Sequence, residues 1–388
     1  MHNITNDTSK ILSAPEFCFQ LSKQAADFNW DIVEKYSSLS NAIKAQHGTA
    51  MELGSEFRPI STLVKIFGLH PLWKDLSSGI ESGFNYPLTP LSNEDRKLDL
   101  QEALVFGNHK GVDKHREFYL NLINKDVVHG YCLPFPLSKI STIPGAIVSP
   151  LNIAEQNTIN ERGEIIPSKR LTHNQSMVYK SSNTSVNSRV IKEKLCPIMY
   201  GDALLRLIHY IVACQRKFPN KKILLSKFDL KSAYRRCHMD YDTAIQSVTQ
   251  DPELDIAMLT LRLTFGGAPN PNNFSLVSES ICDLANHLLQ NNKWIHEKYF
   301  SPIQDKIPKM ETLSDDLPFE KSYPLIVDVP CGPRGHAEIY IDDFVVAVVD
   351  IGNDNIRANK TVPLAIHVMG RPLLQHELIP KKYLISAE

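Results

Sequence analysis

The chain has 388 residues, a formal net charge of −1, 43% hydrophobic residues and no low-complexity tract. That length supports two or three structural units with a large core, and the composition is that of a globular protein rather than a disordered one. A near-zero charge excludes a broadly basic nucleic-acid-binding surface, so any electropositive channel must be local.

Seven cysteines, at 18, 132, 196, 214, 237, 282 and 331, are odd in number and contain no Cys-x-x-Cys. They read as reduced thiols of an intracellular protein, cytoplasmic or nuclear. The amino terminus has neither a basic start nor an apolar core, so no secretory signal is expected. The longest apolar helix candidate, Ala203 to Cys214, is too short for a bilayer and contains Arg206 and His209, so no membrane partner is expected. No internal repeat is visible.

In chain order, residues 1–95 are the least informative. Ser61 to Phe67 predicts a short helix stopped near Gly68 and Pro71, and the Ser-, Gly- and Pro-rich stretch from Ser77 to Asn93 reads as a linker. Glu94 to Leu104 and Val112 to Ile123 have the spacing of two helices. His109, His115, His129 and Cys132 match no zinc-finger spacing and read as ordinary surface or core residues. Pro134 to Pro150 predicts an extended surface crossing. Lys169 and Arg170 form a charge pair on a strand, by default solvated.

Ile223 to Leu230 predicts a strand with Asp229 near its end, followed by a turn-like or helical stretch through His238. Tyr234 there is by default a packed core ring, and Arg235 and Arg236 would face phosphate or solvent. Gly266 and Gly267 permit close backbone approach to a ligand, and Phe265 offers a flat apolar surface. Asn270 followed by Pro271 fits a helix start, and Phe274, Val277, Ile281, Leu284 and Leu288 then give one buried stripe. Residues 291–335 are Pro- and charge-rich and read as an insertion. Asn353 to Met369 predicts a helix that Pro363 would kink.

The most informative stretch is His336 to Asp350. Two β-branched and aromatic runs, Ile339–Ile341 and Phe344–Val349, flank Asp342 and Asp343, the pattern of a hairpin with the acids at its tip. Without a glycine, that turn is expected to be strained. Adjacent carboxylates repel, and a divalent cation is their natural partner, although a solvated tip is the bland alternative. Asp315 and Asp316, in a polar stretch, show that blander case. Asp229, at the end of another strand, would complete a two-metal site suited to in-line phosphoryl displacement in a polymerase or a nuclease.

These residues carry a family resemblance. Tyr340 to Asp343 resembles the Tyr-x-Asp-Asp signature of reverse transcriptases, and Phe228 to Tyr234 resembles their first catalytic motif. Leu263 to Ser275 is similar to the motif that lines their nucleotide site, and Lys169 to Ser176 with Ser185 to Asn187 is similar to the fingers segment. The four motifs stand in the family's order over residues 169–343, closest to retrotransposon polymerases.

The resemblance implies an α/β (α+β) fold, a right-hand polymerase with a palm built on an antiparallel sheet, plus fingers. The expected division is residues 1–95 of unknown role, 96–205 fingers-like and 206–388 palm-like. It implies template-directed addition of deoxynucleotides to a primer 3′ end on an RNA or DNA template. Asp229, Asp342 and Asp343 would hold two Mg²⁺, with Mn²⁺ able to substitute. Arg170 and Lys169 would clamp the triphosphate, Phe265 and Gly266 would floor the nucleotide site, and Tyr234 would gate the sugar against a ribose 2′-hydroxyl. Asn174 stands where many relatives carry Asp, and Phe265 where retroviral enzymes carry Gln. Only 45 residues follow Asp343. The family's primer grip and helical thumb are not visible, so a truncated unit completed by another polyprotein segment is expected. Two other readings stay open, an inactive remnant of the fold that binds nucleic acid or protein, and a metal nuclease with no need of the fingers cations or the gate tyrosine.

Overall fold

The structure, a computed structural model, describes residues 14–46, 57–70, 72–159, 164–198, 200–230, 232–291, 332–370 and, as backbone, 380–386. It is a mixed α/β chain with small antiparallel sheets. Helices come first: α1 (Lys23–Lys35), α2 (Leu39–Ala45), α3 (Ile60–Phe67), α4 (Trp73–Ser82), α5 (Asn93–Phe106), α6 (Lys110–Lys114) and α7 (Arg116–Val128). Ser22, Ser38 and Ser92 cap α1, α2 and α5 by accepting a backbone N–H three residues on. Strand β1 (Cys132–Pro136) follows, then the hairpin β2 (Leu151–Ile159) and β3 (Ile165–His173), which forms a two-stranded sheet.

Then come α8 (Ala203–Lys217), β4 (Ile223–Leu230), α9 (Tyr241–Ile245), β5 (Val248–Asp251), β6 (Ile256–Thr260) and α10 (Asn270–Gln290). The hairpin β7 (His336–Tyr340) and β8 (Asp343–Val349), α11 (Asp354–Met369) and β9 (Pro380–Ser386) complete the order. Strands β1, β6 and β5 make one sheet, and β7, β8, β4 and β9 make a second in that order.

Away from the hairpin tip, strands β4, β7 and β8 of the second sheet are packed on both faces. Strand β4 runs antiparallel to β8, with Ile223 opposite Val349 and Asp229 opposite Asp343. Since side chains alternate along a strand and directly opposed residues share a face, the register sorts them. Phe228, Leu224, Phe344, Val346, Val348 and Ile339 join the main core with α10 and α11. Ile223, Leu225, Val345, Ala347 and Val349 point the other way, against Leu207, Tyr210 and Cys214 of α8 and Phe218 just after it. Asp229, Lys227, Asp343, Glu338 and Tyr340 lie on this α8 face by the same alternation.

Several expectations need correction. The supposed linker begins inside α4, whose Trp73, Leu76 and Ile80 are buried in the main core. The second predicted helix is two, broken at His115. Instead of crossing the surface, residues 132–136 form the fully buried β1, paired with β6. Helix α10 is buried well beyond one stripe, with Ser275, Ser278, Glu279 and Ser280 also covered. Residues 17–43 share the main core with the sheet, since Phe17, Ile32 and Ile43 belong to it. Most of the expected insertion, and Asp315 and Asp316 within it, lie outside the described residues.

On the α8 face, one ionic contact replaces apolar packing. Arg206 donates from Nε to Glu338 Oε1 and from Nη2 to Oε2, each at 2.7 Å, and His336 Nε2 stands 2.7 Å from Oε1. Burial pushes the Glu338 carboxyl up, but His336 and Arg206 outweigh it and hold the net value below the ordinary one. Arg206 and Glu338 side chains are only 16% and 7% exposed, so removing Arg206 leaves a buried carboxylate with His336 in place of the bidentate guanidinium. Arg206→Ala should cost about 3 kcal/mol of unfolding free energy in urea denaturation. Because the folded carboxyl titrates low, the wild type should keep this contribution at neutral pH and lose it as pH falls through the acid range.

Candidate active site

The hairpin tip differs from the expected one by a residue. Tyr340 pairs with Asp343, so Ile341 and Asp342 form the turn and Asp343 opens β8. Ile341 has φ of 60°, costly for a β-branched side chain, and only the first turn residue has positive φ, the type II′ pattern. The expected strain is therefore real and sits on Ile341. The backbone N–H of Leu230 donates to the Asp342 carbonyl at 3.2 Å, tying the turn to the end of β4.

Register does what separation in sequence hides: Asp229 and Asp343 are direct cross-strand partners on one face. Next to them, the Asp342 carboxyl is pushed up to about 6, first by burial and then by the charges of Asp229 and Asp343. Lys227, two residues before Asp229 on the same face, reaches diagonally to Asp343, Nζ to Oδ2 at 2.9 Å. On the β9 side of β4 the ladder slips between Phe228 and Leu230, an irregularity beside Asp229.

Tyr234 stands in a 3-10 turn entered through Ser232 at φ of 55°. Its ring lies 5.2 Å from that of Phe265 and 5.5 Å from that of Phe274. Burial raises its hydroxyl well above the usual range, with the nearby Asp342 charge adding to it. Phe265 is 45% exposed, and the Arg170 guanidinium lies over its ring at 4.6 Å. Lys169 points elsewhere, over Phe118 at 5.7 Å. Tyr234, Phe265 and Arg170 thus form a contiguous series, with Asp342 near enough for its charge to act on Tyr234 and Lys169 off to one side.

Gly266 locks the two halves of that series together. His173, the last residue of β3, donates its backbone N–H to the Phe265 carbonyl at 3.0 Å. Gly266 has φ of 125°, and a Cβ there would lie 1.8 Å from the His173 carbonyl oxygen. Asn187 adds a clamp, donating to the Gly266 carbonyl at 2.7 Å and accepting from the Ala268 N–H at 2.8 Å.

Other expectations separate. Asn174 hydrogen-bonds with His109 at 2.9 Å, His115 with Glu155 at 2.6 Å, and His129 with the Lys125 carbonyl at 2.7 Å, so the histidines do not converge. Arg235 is half-buried and ion-paired with Asp126, and Arg236 is 1% exposed and does not face solvent. Lys227 belongs to none of the motifs visible in the sequence. Its spacing from Asp229 put the two on one face, but its contact with Asp343 needs the strand pairing to be known.

Three carboxylates gathered at one sheet end are an all-oxygen donor set, right in kind for Mg²⁺ or Mn²⁺. The raised Asp342 carboxyl is the repulsion that a cation would relieve. Among the described residues no group of three acids, imidazoles or thiols is already drawn together as a metal cluster. The donors fit in chemistry and placement, with Asp343 turned toward Lys227.

No protein-family model and no curated protein matches the sequence. Among solved structures, the chain is similar to the native protease-reverse transcriptase of prototype foamy virus, with TM-score 0.35 and 11% identity, over 86% of this chain and 33% of that one. It is also similar to the foamy viral protease-reverse transcriptase in complex with dsDNA, with TM-score 0.33 and 10% identity, over 81% of this chain and 50% of that one. The chain therefore spans a third to a half of those proteins, and a likeness this weak leaves the site to be argued from its own residues.

The shifted carboxyl sets a test. Asp342 is neutral at low pH and must ionise against its neighbours as pH rises through about 6, so metal-free wild type loses stability across that window. Asp342→Asn should raise the melting temperature by about 1–3 °C at pH 8 in EDTA, and by much less at pH 4. Equal shifts at both pH values in differential scanning calorimetry would remove the charge-repulsion account.

Proposed function

We propose that this chain carries the nucleotidyl-transfer centre of an RNA-directed DNA polymerase of the retrotransposon type. The observation that carries the reading is the pairing of Asp229 with Asp343 beside the Tyr234, Phe265 and Arg170 surface. Asp229, Asp342 and Asp343 would hold two Mg²⁺, or Mn²⁺ in their place, which would supply charge stabilisation and a more acidic primer 3′-hydroxyl.

The chain's own groups do the rest. Arg170 presents a planar fork to triphosphate oxygens while its face rests on Phe265, and Lys169 adds a flanking positive charge. Phe265 and Gly266 floor the nucleotide, with the glycine keeping the backbone close. Tyr234, braced by Phe274, fills the space a ribose 2′-hydroxyl would need. Primer–template and deoxynucleoside triphosphates are the partners. Among the described residues no helix is long and apolar enough to cross a membrane.

A second reading is favoured by one specific observation: Asp343 is already engaged by the Lys227 ammonium. A remnant of the same fold that binds nucleic acid or protein without catalysis would also tolerate Lys227 on Asp343. Primer extension on a homopolymer RNA template separates the two. Deoxynucleotide incorporation should depend on Mg²⁺ or Mn²⁺ and fall at least about a hundredfold in Asp342→Asn. Binding of primer–template with no incorporation under either ion, at any enzyme concentration, would support the remnant.

Sugar selection gives an independent check. Tyr234→Ala should raise ribonucleotide use relative to deoxynucleotide use by about tenfold or more, with deoxynucleotide incorporation largely kept. An unchanged ratio in single-nucleotide incorporation would return Tyr234 to a packing role.

A further inference from the structure

Lys227 is the cation that the acidic cluster already holds. Its strand places it on the same face as Asp229, and its Nζ stands 2.9 Å from Asp343 Oδ2. On that face of β4 the neighbouring positions Ile223 and Leu225 pack against α8, so the ammonium lies where apolar cover ends and the acids begin. Asp343 therefore faces a choice between two positive partners, the tethered ammonium and a divalent ion shared with Asp229 and Asp342.

We infer that Lys227 is a built-in competitor for the metal site, an ammonium that steadies Asp343 in the ion-free protein and must release it before a divalent cation is bound. This rests on the proposed two-metal reading and adds a residue that sets the site's affinity. Both partners are well exposed, at 43% and 38%, so the pair itself is weak. The contact is thus suited to exchange. Removing the ammonium deletes both the competing pair and a like charge next to the incoming ion.

The test uses the full chain and Mn²⁺ alone, without nucleic acid, following free Mn²⁺ by its EPR signal. Lys227→Gln should bind Mn²⁺ about fivefold more tightly than wild type, and Lys227→Arg, which keeps the charge, should stay near wild type. Without metal, Lys227→Gln should melt slightly lower than wild type, and added Mn²⁺ should stabilise it more. Mn²⁺ binding by wild type that is lost in Asp343→Asn but equal or weaker in a folded Lys227→Gln overturns the role of Lys227 and leaves the metal site standing. Lack of Mn²⁺ binding in wild type and Lys227→Gln alike, with both folded, overturns the metal site and this inference with it.

Discussion

Like-charge repulsion among Asp229, Asp342 and Asp343 is the constraint on which the rest depends, because acids left free would move apart. They do not, because both faces of the sheet carrying them are packed. Phe228 and Phe344, directly opposed, are buried in the main core, while Val345, Ala347 and Val349 are held by α8. Sliding β8 by one residue against β4 would turn that whole apolar set toward the wrong face. The register that pairs Asp229 with Asp343 is thus fixed by hydrophobic residues further along the same strands. The raised carboxyl of Asp342 is the electrostatic consequence, and the left-handed Ile341 is the conformational one.

Charge along the α8 face is then handled in three ways. Glu338, deepest, is satisfied by Arg206 and His336 under the helix. Asp343, nearer solvent, shares an ion pair with Lys227 at the margin of the apolar cover. Asp342, in the turn, is left with an elevated carboxyl and a cluster more negative than its surroundings balance. Excess negative charge therefore increases toward the open end, which is where a hard cation would be attracted.

How much of this was legible in the sequence depended on whether the signal was local. Strand β4, the β7–β8 hairpin, α3 and α11 were visible because each has its own period, cap or stop signal. The turn was misplaced by one residue because the two carboxylates resembled a polar tip, whereas pairing of Tyr340 with Asp343 draws the second acid into the strand. Burial of β1 and of the polar side of α10 could not be read, since both follow from neighbours far away in sequence. Arg236 was misjudged for the same reason: charge predicted exposure, while the fold closes over it. Motif order suggested that Asp229 and the hairpin acids belong together, but the contacts of Lys227 and Asn187 exist only once strands and loops are paired.

A net charge near zero raises the question of which cations remain for an anionic partner. Many are already committed: Arg116 to Asp251, Arg206 to Glu338, Arg235 to Asp126, and Lys114 to Glu155. Lys169 and Arg170 differ, although Glu155 lies directly across from Lys169 in the β2–β3 ladder. That acid is taken by Lys114 and His115, and the two cations rest on the rings of Phe118 and Phe265. An aromatic face orients a cation without neutralising it, because the quadrupole attracts but carries no net charge. Both side chains are exposed, so their positive charge faces solvent. The arrangement reconciles a neutral chain with local positive charge: ion pairing consumes cations elsewhere, and ring stacking leaves Arg170 on Phe265 and Lys169 on Phe118 with their charges unneutralised.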